Sequence, residues 1–182
     1  PISSLVLSAL AMHLFVLRVV GTTGGAYLAG MAWGFGSYRF AHLIHLQLQA
    51  LYFLPLTFLW LHRVIAARRK RDAIGLGLLT GLQAIASVYY ALIGGLGLVV
   101  AGLTLALASS RRGARRVLAR LALAAVVAAV VALPVGLVYW RVQQAEGFGR
   151  NLFEASQNAA DLASYAHVPA GNVVYGRTGI MD

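Results

Sequence analysis

Long apolar runs separated by short basic clusters restrict the folds that this sequence can adopt. Residues 2–17, 73–110 and 121–140 contain no charged side chain. About 20 apolar residues form a helix that crosses roughly 30 Å of hydrocarbon, and a lipid-exposed backbone must satisfy its own hydrogen bonds. The chain is 60% hydrophobic and 11% charged, whereas soluble domains carry about 25% charged residues. The sequence therefore predicts an all-α, polytopic transmembrane bundle.

We predict about six membrane segments. They cover residues 1–20, 25–36 with a polar continuation, 46–66, two segments within 73–110 that turn near 87–95, and 118–140. The second apolar run is too short to cross alone, so polar residues follow it at membrane depth or at its edge. Pro55 predicts a kink in the third segment. We expect residues 1–140 to form the membrane region and residues 141–182 a tail with a short helix at 149–167.

The basic residues indicate the orientation in the membrane. A formal charge of +10 suggests nucleic acid in a soluble protein, but clusters between apolar runs are a topology signal, so we expect no nucleic-acid partner. Placing the clusters at 68–71 and 111–120 in the cytoplasm puts 11 of the 15 basic residues inside. We predict a multi-pass protein of the bacterial cytoplasmic membrane, with the tail and residues 38–45 outside.

Two further features limit the chemistry. The chain contains no cysteine, which excludes disulfides, thiolate nucleophiles and thiolate metal ligands. It begins at Pro1, and no basic residue precedes its first apolar run, which is unlike a secretory signal peptide. We therefore expect an internal piece of a longer protein.

The densest polar cluster follows the short second segment. If residues 38–49 are helical, Tyr38, His42, His45 and Gln49 share one stripe, with Arg39 beside His42. Ionisable residues at membrane depth usually face a cavity, a partner or a substrate path. The guanidinium fork of Arg39 matches phosphate oxygens, and the imidazoles add donors. This pattern favours an anionic ligand, with Tyr38, Arg39, His42 and His45 as binding residues.

Two alternatives remain for this cluster. Arg39 and the histidines can simply extend to the lipid head groups. A metal shared by His42 and His45 is the other alternative, but a catalytic zinc site typically needs a third protein ligand, and His167 in the tail is the other histidine predicted outside.

Tyr89 and Tyr90 lie at the predicted outer turn between the fourth and fifth segments. Aromatic residues are enriched at this depth as membrane anchors, and lining of an outer cavity is the alternative. Gln83, in the middle of a segment, is predicted to form an interhelical hydrogen bond.

The sequence resembles GT-C-type glycosyltransferases, polytopic enzymes that use polyprenyl-phosphate sugars. The resemblance is carried by Gly36-Ser-Tyr-Arg-Phe-Ala-His-Leu-Ile-His-Leu-Gln47, Phe53-Leu-Pro-Leu56, Leu61-His-Arg63, Leu82-Gln-Ala84, Ser87-Val-Tyr-Tyr90 and residues 159–165. It implies a multi-span enzyme with an outer-face active site and a polyprenyl-phosphate-linked sugar as donor. It also implies a carboxylate base in a loop that precedes Pro1, so no catalytic residue is assigned here.

The resemblance places Arg39, His42 and His45 near the donor phosphate, and Tyr89 and Tyr90 belong to the same candidate set. It leaves open the sugar, the acceptor and any divalent metal. Composition and spacing do not by themselves indicate glycosyl transfer. A transporter or flippase-like protein and a non-catalytic envelope-assembly protein are therefore kept as alternatives.

Overall fold

The computed structural model describes residues 2–67, 69–108, 110–147 and 156, with the backbone alone described at 111 and 112. All regular elements in this part of the chain are helices, as the sequence predicts. They are α1 (Ile2–Val19), α2 (Thr23–Phe35), α3 (Ser37–Ala41), α4 (Leu46–Gln49), α5 (Phe53–Ala67), α6 (Lys70–Ala86), α7 (Val88–Leu107) and α8 (Arg111–Glu146). The predicted tail helix at 149–167 lies outside the described residues.

Four stretches are long and apolar enough to cross a membrane, namely Ile2–Val19, Leu46–Ala67, Val88–Leu107 and Gly113–Glu146. Their outward sides are apolar, since Leu92, Ile93 and Leu96 of α7 are each about two-thirds exposed. Soluble monomers rarely expose a large contiguous apolar patch. These features are consistent with a membrane protein. α2 and α6 have 13 and 17 residues, so the count of six segments stays a prediction.

Small residues bring α1 and α2 together as an antiparallel pair. A Cβ built on Gly34 would lie 2.8 Å from the carbonyl oxygen of Leu5, and one on Gly30 would lie 2.8 Å from that of Ala9. The two backbones are therefore too close for larger side chains. Small residues at helix interfaces serve this purpose in membrane proteins. The chain reverses direction after α1 at Gly21, whose φ of +81° is readily adopted by glycine.

The central core is formed by α5, α6 and α8. Its buried members are Leu61, Val64, Ala73, Leu76 and Ala124. Each contributes apolar contacts where helices meet, and side chains from α7 pack around them. The chain divides into two compact units, Pro1–Val138 and Tyr139–Asp182, and this core belongs to the first.

The structure confirms one predicted turn, corrects one predicted kink and gives the length of the last helix. The turn between the fourth and fifth segments is confirmed at Ser87, the residue between α6 and α7. The predicted kink at Pro55 is wrong, because the interruption lies at residues 50–52 and Pro55 sits in the first turn of α5, where a missing N–H costs little. The helix that contains the sixth predicted segment is longer than residues 118–140, since α8 runs from Arg111 to Glu146 and continues through Pro134.

Candidate functional site

The irregular stretch that follows the short second segment forms the candidate site. α2 ends at Phe35, and Gly36 is extended, with φ −61° and ψ 150°. The short helices α3 and α4 follow, separated by a turn at residues 42–45. Non-helical backbone leaves carbonyl groups without helical partners, and these must be satisfied in another way at membrane depth.

Gln49 satisfies two of these carbonyl groups. Its Nε2 donates to the Arg39 oxygen at 3.2 Å and to the His42 oxygen at 2.7 Å. The side chain is buried, so these bonds form away from water. Gln49 thereby joins α4 to the end of α3 and holds the interrupted segment in one conformation.

Arg39 is directed inward from α3 and is only 2% exposed. Its Nη2 donates to the main-chain oxygen of Gln49 at 2.9 Å and to Ser8 Oγ at 3.2 Å. Longer contacts of 3.4 and 3.5 Å reach the hydroxyl and the carbonyl oxygen of Ser4. The Ser4 hydroxyl also donates to the Gln49 oxygen. A guanidinium from the interrupted segment is thus anchored to one turn of α1.

Only one nitrogen of this guanidinium takes part in these bonds. In the described part of the chain, Nε and Nη1 of Arg39 are buried without a hydrogen-bond partner. They carry three of the five N–H bonds of the group. An arginine stays protonated in proteins, so a buried positive charge lies here with unused donors.

The two histidines lie beside the guanidinium in sequence but on a more exposed surface. The His42 ring stacks on Tyr38 with 4.2 Å between ring centroids, and the His45 ring is 5.7 Å from His42. His42 Nδ1 donates to the Tyr38 carbonyl oxygen at 3.0 Å, because a carbonyl can only accept. This bond fixes the tautomer and leaves Nε2 of His42 as the acceptor.

The helical stripe considered for residues 38–49 requires a continuous helix, and the structure does not contain one there. Helix α3 ends at Ala41, and the turn that follows rotates His42 and His45 relative to Arg39. The Arg39 side chain bonds to Ser4, Ser8 and Gln49. Arg39 is therefore buried, whereas His42 and the Tyr38 ring stacked on it are more exposed.

The two predicted outer tyrosines differ in their surroundings. Tyr90 is half-buried, and it is close enough to the Tyr38 hydroxyl and to Arg39 to interact with both. Tyr89 is 54% exposed. The structure thus brings Tyr38, Arg39 and Tyr90 together. Gln83 forms the predicted bond to another segment, since its Nε2 donates to the Ala50 oxygen at 3.0 Å.

Sequence analysis missed the hydroxyl partners of Arg39 on α1. Ser4 and Ser8 are four residues apart, a spacing that places two side chains on one helix face. Two hydroxyls on one face of an otherwise apolar span were the available signal for a polar partner. Asp72 was also missed as a partner of Arg63. This buried carboxylate pairs with Arg63 Nη2 at 3.0 Å, and no sequence spacing indicated the pair.

No group of three or more histidine or acidic side chains that could hold a metal occurs among the residues that the structure describes. The arrangement around Arg39 instead provides a fixed positive charge, N–H donors and phenol groups, which suit an anion. Comparison with protein-family models, curated proteins and solved structures found no match for this chain.

Proposed function

We propose that this chain is part of a GT-C-like glycosyltransferase of the bacterial cytoplasmic membrane. The enzyme transfers a sugar from a polyprenyl-phosphate donor to an acceptor on the outer face. The donor phosphate binds the guanidinium of Arg39. The glycosyl-transfer part rests on the sequence resemblance, and the anion-binding part rests on the surroundings of Arg39.

One observation carries the anion-binding part. Arg39 is buried, and three of its N–H bonds have no acceptor among the described residues. Leaving a charged group unpaired away from water is costly. A phosphate oxygen supplies both the negative charge and the missing acceptors, and charge-assisted bonds of this kind are strong.

The proposed reaction uses Arg39 to stabilise the leaving group. The acceptor hydroxyl oxygen attacks the anomeric carbon, and the bond from that carbon to the phosphate oxygen breaks. The electron pair of that bond moves to the phosphate, while the hydroxyl proton passes to the carboxylate base that the resemblance implies. A fixed cation beside the phosphate lowers the barrier because negative charge grows there in the transition state.

Access to Arg39 requires side chains to move. We assign this movement to Tyr38 and Tyr90, whose hydroxyl groups interact with each other near the guanidinium. Once separated, each phenol is able to donate to a phosphate oxygen. His42 Nε2 and the adjacent His45 ring provide further polar groups near this entrance.

The test uses the full-length protein in liposomes with a radiolabelled polyprenyl-phosphate sugar. Arg39→Lys keeps one ammonium group that can bond to Ser8 and Gln49, but it lacks the planar guanidinium. We expect this variant to insert and fold, yet to transfer sugar about 10²–10³-fold more slowly. Arg116→Lys, an exposed arginine of α8, is the matched control and should retain activity. Near-normal transfer by Arg39→Lys would contradict the proposed role.

A transporter for the same class of lipid-linked anion is the second candidate. It is favoured by the interrupted backbone at residues 36–52, since discontinuous segments often line transport sites. The liposome assay separates the two functions. Movement of the intact donor between leaflets, without release of polyprenyl phosphate, would indicate transport. Release of polyprenyl phosphate with a glycosylated acceptor would indicate the enzyme.

A further inference from the structure

A second site lies at the other end of α1. A cavity of about 810 Å³ opens between α1, α5 and α6, within the range of about 300–1,000 Å³ that is usual for ligand sites. Its wall is mainly leucine, including Leu56, Leu78 and Leu82. Arg18 and Arg63 also line it. The cavity thus combines a long apolar wall with two arginines.

This cavity is separate from the Arg39 site. Arg18 lies in the last turn of α1, whereas the partners of Arg39 lie at its start. Arg18 is about 14 positions after Ser4, which corresponds to about 21 Å along a helix. The basic residues Lys70 and Arg71 begin α6, so the cavity lies at the end of the bundle that carries the first basic cluster.

Trp60 forms one side of the cavity and is held firmly. Its ring lies against Gly75, where an added Cβ would overlap the indole nitrogen. The guanidinium of Arg63 lies over the same ring, 4.8 Å from its centroid, at a distance typical of a cation–π contact. Trp60 is therefore a fixed reporter in the cavity wall.

The two arginines differ in their pairing. Arg63 bonds to Asp72 through Nη2 and Nε, at 3.0 and 3.1 Å. Within residues 2–67, 69–108 and 110–147, no carboxylate pairs with Arg18. The positive charge of Arg63 is largely balanced, and that of Arg18 is not. The cavity wall therefore has a net positive charge at one end.

We propose that this cavity binds an anionic glycerophospholipid from the leaflet at the basic end of the bundle. The lipid phosphate lies against Arg18, and one acyl chain lies along Leu56, Leu78 and Leu82. Charge complementarity selects an anionic head group over a zwitterionic one, and the apolar wall excludes a free polar anion. Basic pockets between membrane helices are known to bind such head groups.

Fluorescence of Trp60 provides the test. The chain has three tryptophans, and replacing Trp33 and Trp140 with phenylalanine leaves Trp60 alone. The full chain is placed in nanodiscs of unlabelled phosphatidylcholine with small amounts of a bromine-labelled lipid, which quenches a nearby indole. Bromine-labelled phosphatidylglycerol and phosphatidylcholine are compared at equal mole fractions.

We expect phosphatidylglycerol to reach half-maximal quenching at a mole fraction about fivefold lower than phosphatidylcholine, the preference expected of one arginine near a membrane surface. Arg18→Gln should remove most of this preference, and Arg116→Gln, the same change on α8, should leave it unchanged. Equal quenching by both lipids would overturn the proposal. A preference for phosphatidylglycerol that persists in Arg18→Gln would also overturn it. An equal loss of preference in Arg116→Gln would overturn it as well, because it would indicate a general effect of surface charge.

Discussion

The side chains of Arg39 and Gln49 each form a hydrogen bond to the main-chain oxygen of the other residue. Arg39 Nη2 donates to the Gln49 main-chain oxygen at 2.9 Å, and Gln49 Nε2 donates to the Arg39 main-chain oxygen at 3.2 Å. Each side chain thus satisfies the backbone of the other. The bonds replace those that a continuous helix would have formed between α3 and α4, so the interrupted segment depends on two polar side chains for its conformation.

The first prediction concerns Gln49. Gln49→Ala removes the Nε2 donor from the buried Arg39 oxygen, while the His42 oxygen keeps its bond from the His45 N–H. We expect a loss of about 1–3 kcal/mol in the free energy of unfolding. Gln47 belongs to the same short helix but is exposed, so Gln47→Ala should change stability by less than about 0.5 kcal/mol. Thermal unfolding of the purified protein in detergent measures both. Equal losses from the two variants would contradict the prediction.

The second prediction concerns the contact between α1 and α2. A Cβ on Gly34 would lie 2.5 Å from the Ala9 Cβ and 2.8 Å from the Leu5 oxygen. Because a backbone atom is involved, Gly34→Ala requires the helices to move apart, at a cost of about 1–3 kcal/mol. Gly24 lies on the same helix with no atom within 4 Å of an added Cβ. Gly24→Ala is therefore the matched control, and it should be neutral or stabilising in the same unfolding assay.

The third prediction concerns the Arg63–Asp72 ion pair, in which the Asp72 side chain is 2% exposed and that of Arg63 is 45% exposed. Arg63→Met keeps the apolar stem but leaves a buried carboxylate unpaired. We expect a loss on the order of 1–3 kcal/mol, below the value for a fully buried pair because water screens Arg63.

The double variant Arg63→Met with Asp72→Asn provides the control for this prediction. Removing the unpaired charge should recover part of the lost stability, so the double variant should unfold at a higher temperature than Arg63→Met alone. A double variant that is less stable than both single variants would show that the ion pair is not the origin of the effect. The four proteins together form a double-mutant cycle.

The helical class followed from apolar run length alone, because a span must satisfy its backbone hydrogen bonds internally. The sequence also indicated that the apolar run at residues 25–36 is too short to cross alone, and α2 ends at Phe35. The directions of the side chains after that point could not be predicted. Helical spacing relates side chains only while the helix continues, and the turn at residues 42–45 breaks that relation between Arg39 and His45.

The contacts between residues that are distant in the sequence could not be predicted either. Arg39 was singled out from the sequence because a guanidinium is costly at membrane depth, and the structure shows that it is buried. Its contacts with Ser8, 31 residues away, depend on how α1 lies beside α3. The pairing of Asp72 with Arg63 likewise depends on the turn between α5 and α6, and neither contact has a local sequence pattern.

The fourth prediction concerns orientation in the membrane, which rests on the distribution of basic residues. The chain contains no cysteine, so single cysteines can be introduced at exposed positions without a background. Ser37 marks the end of the bundle that carries Arg39, while Ala67 and Ala108 mark the ends of α5 and α7 next to the basic clusters. We expect Ser37→Cys to react with a membrane-impermeant thiol reagent in intact cells.

Ala67→Cys and Ala108→Cys should react only after the cells are permeabilised. The reason is that segments rich in lysine and arginine are retained in the cytoplasm during insertion. Each variant serves as a control for the others, because all three must react in detergent to show that the site is accessible. Labelling of Ala67→Cys in intact cells, with Ser37→Cys protected, would reverse the orientation. It would then place the Arg39 site on the cytoplasmic face, where the proposed outer-face transfer could not occur.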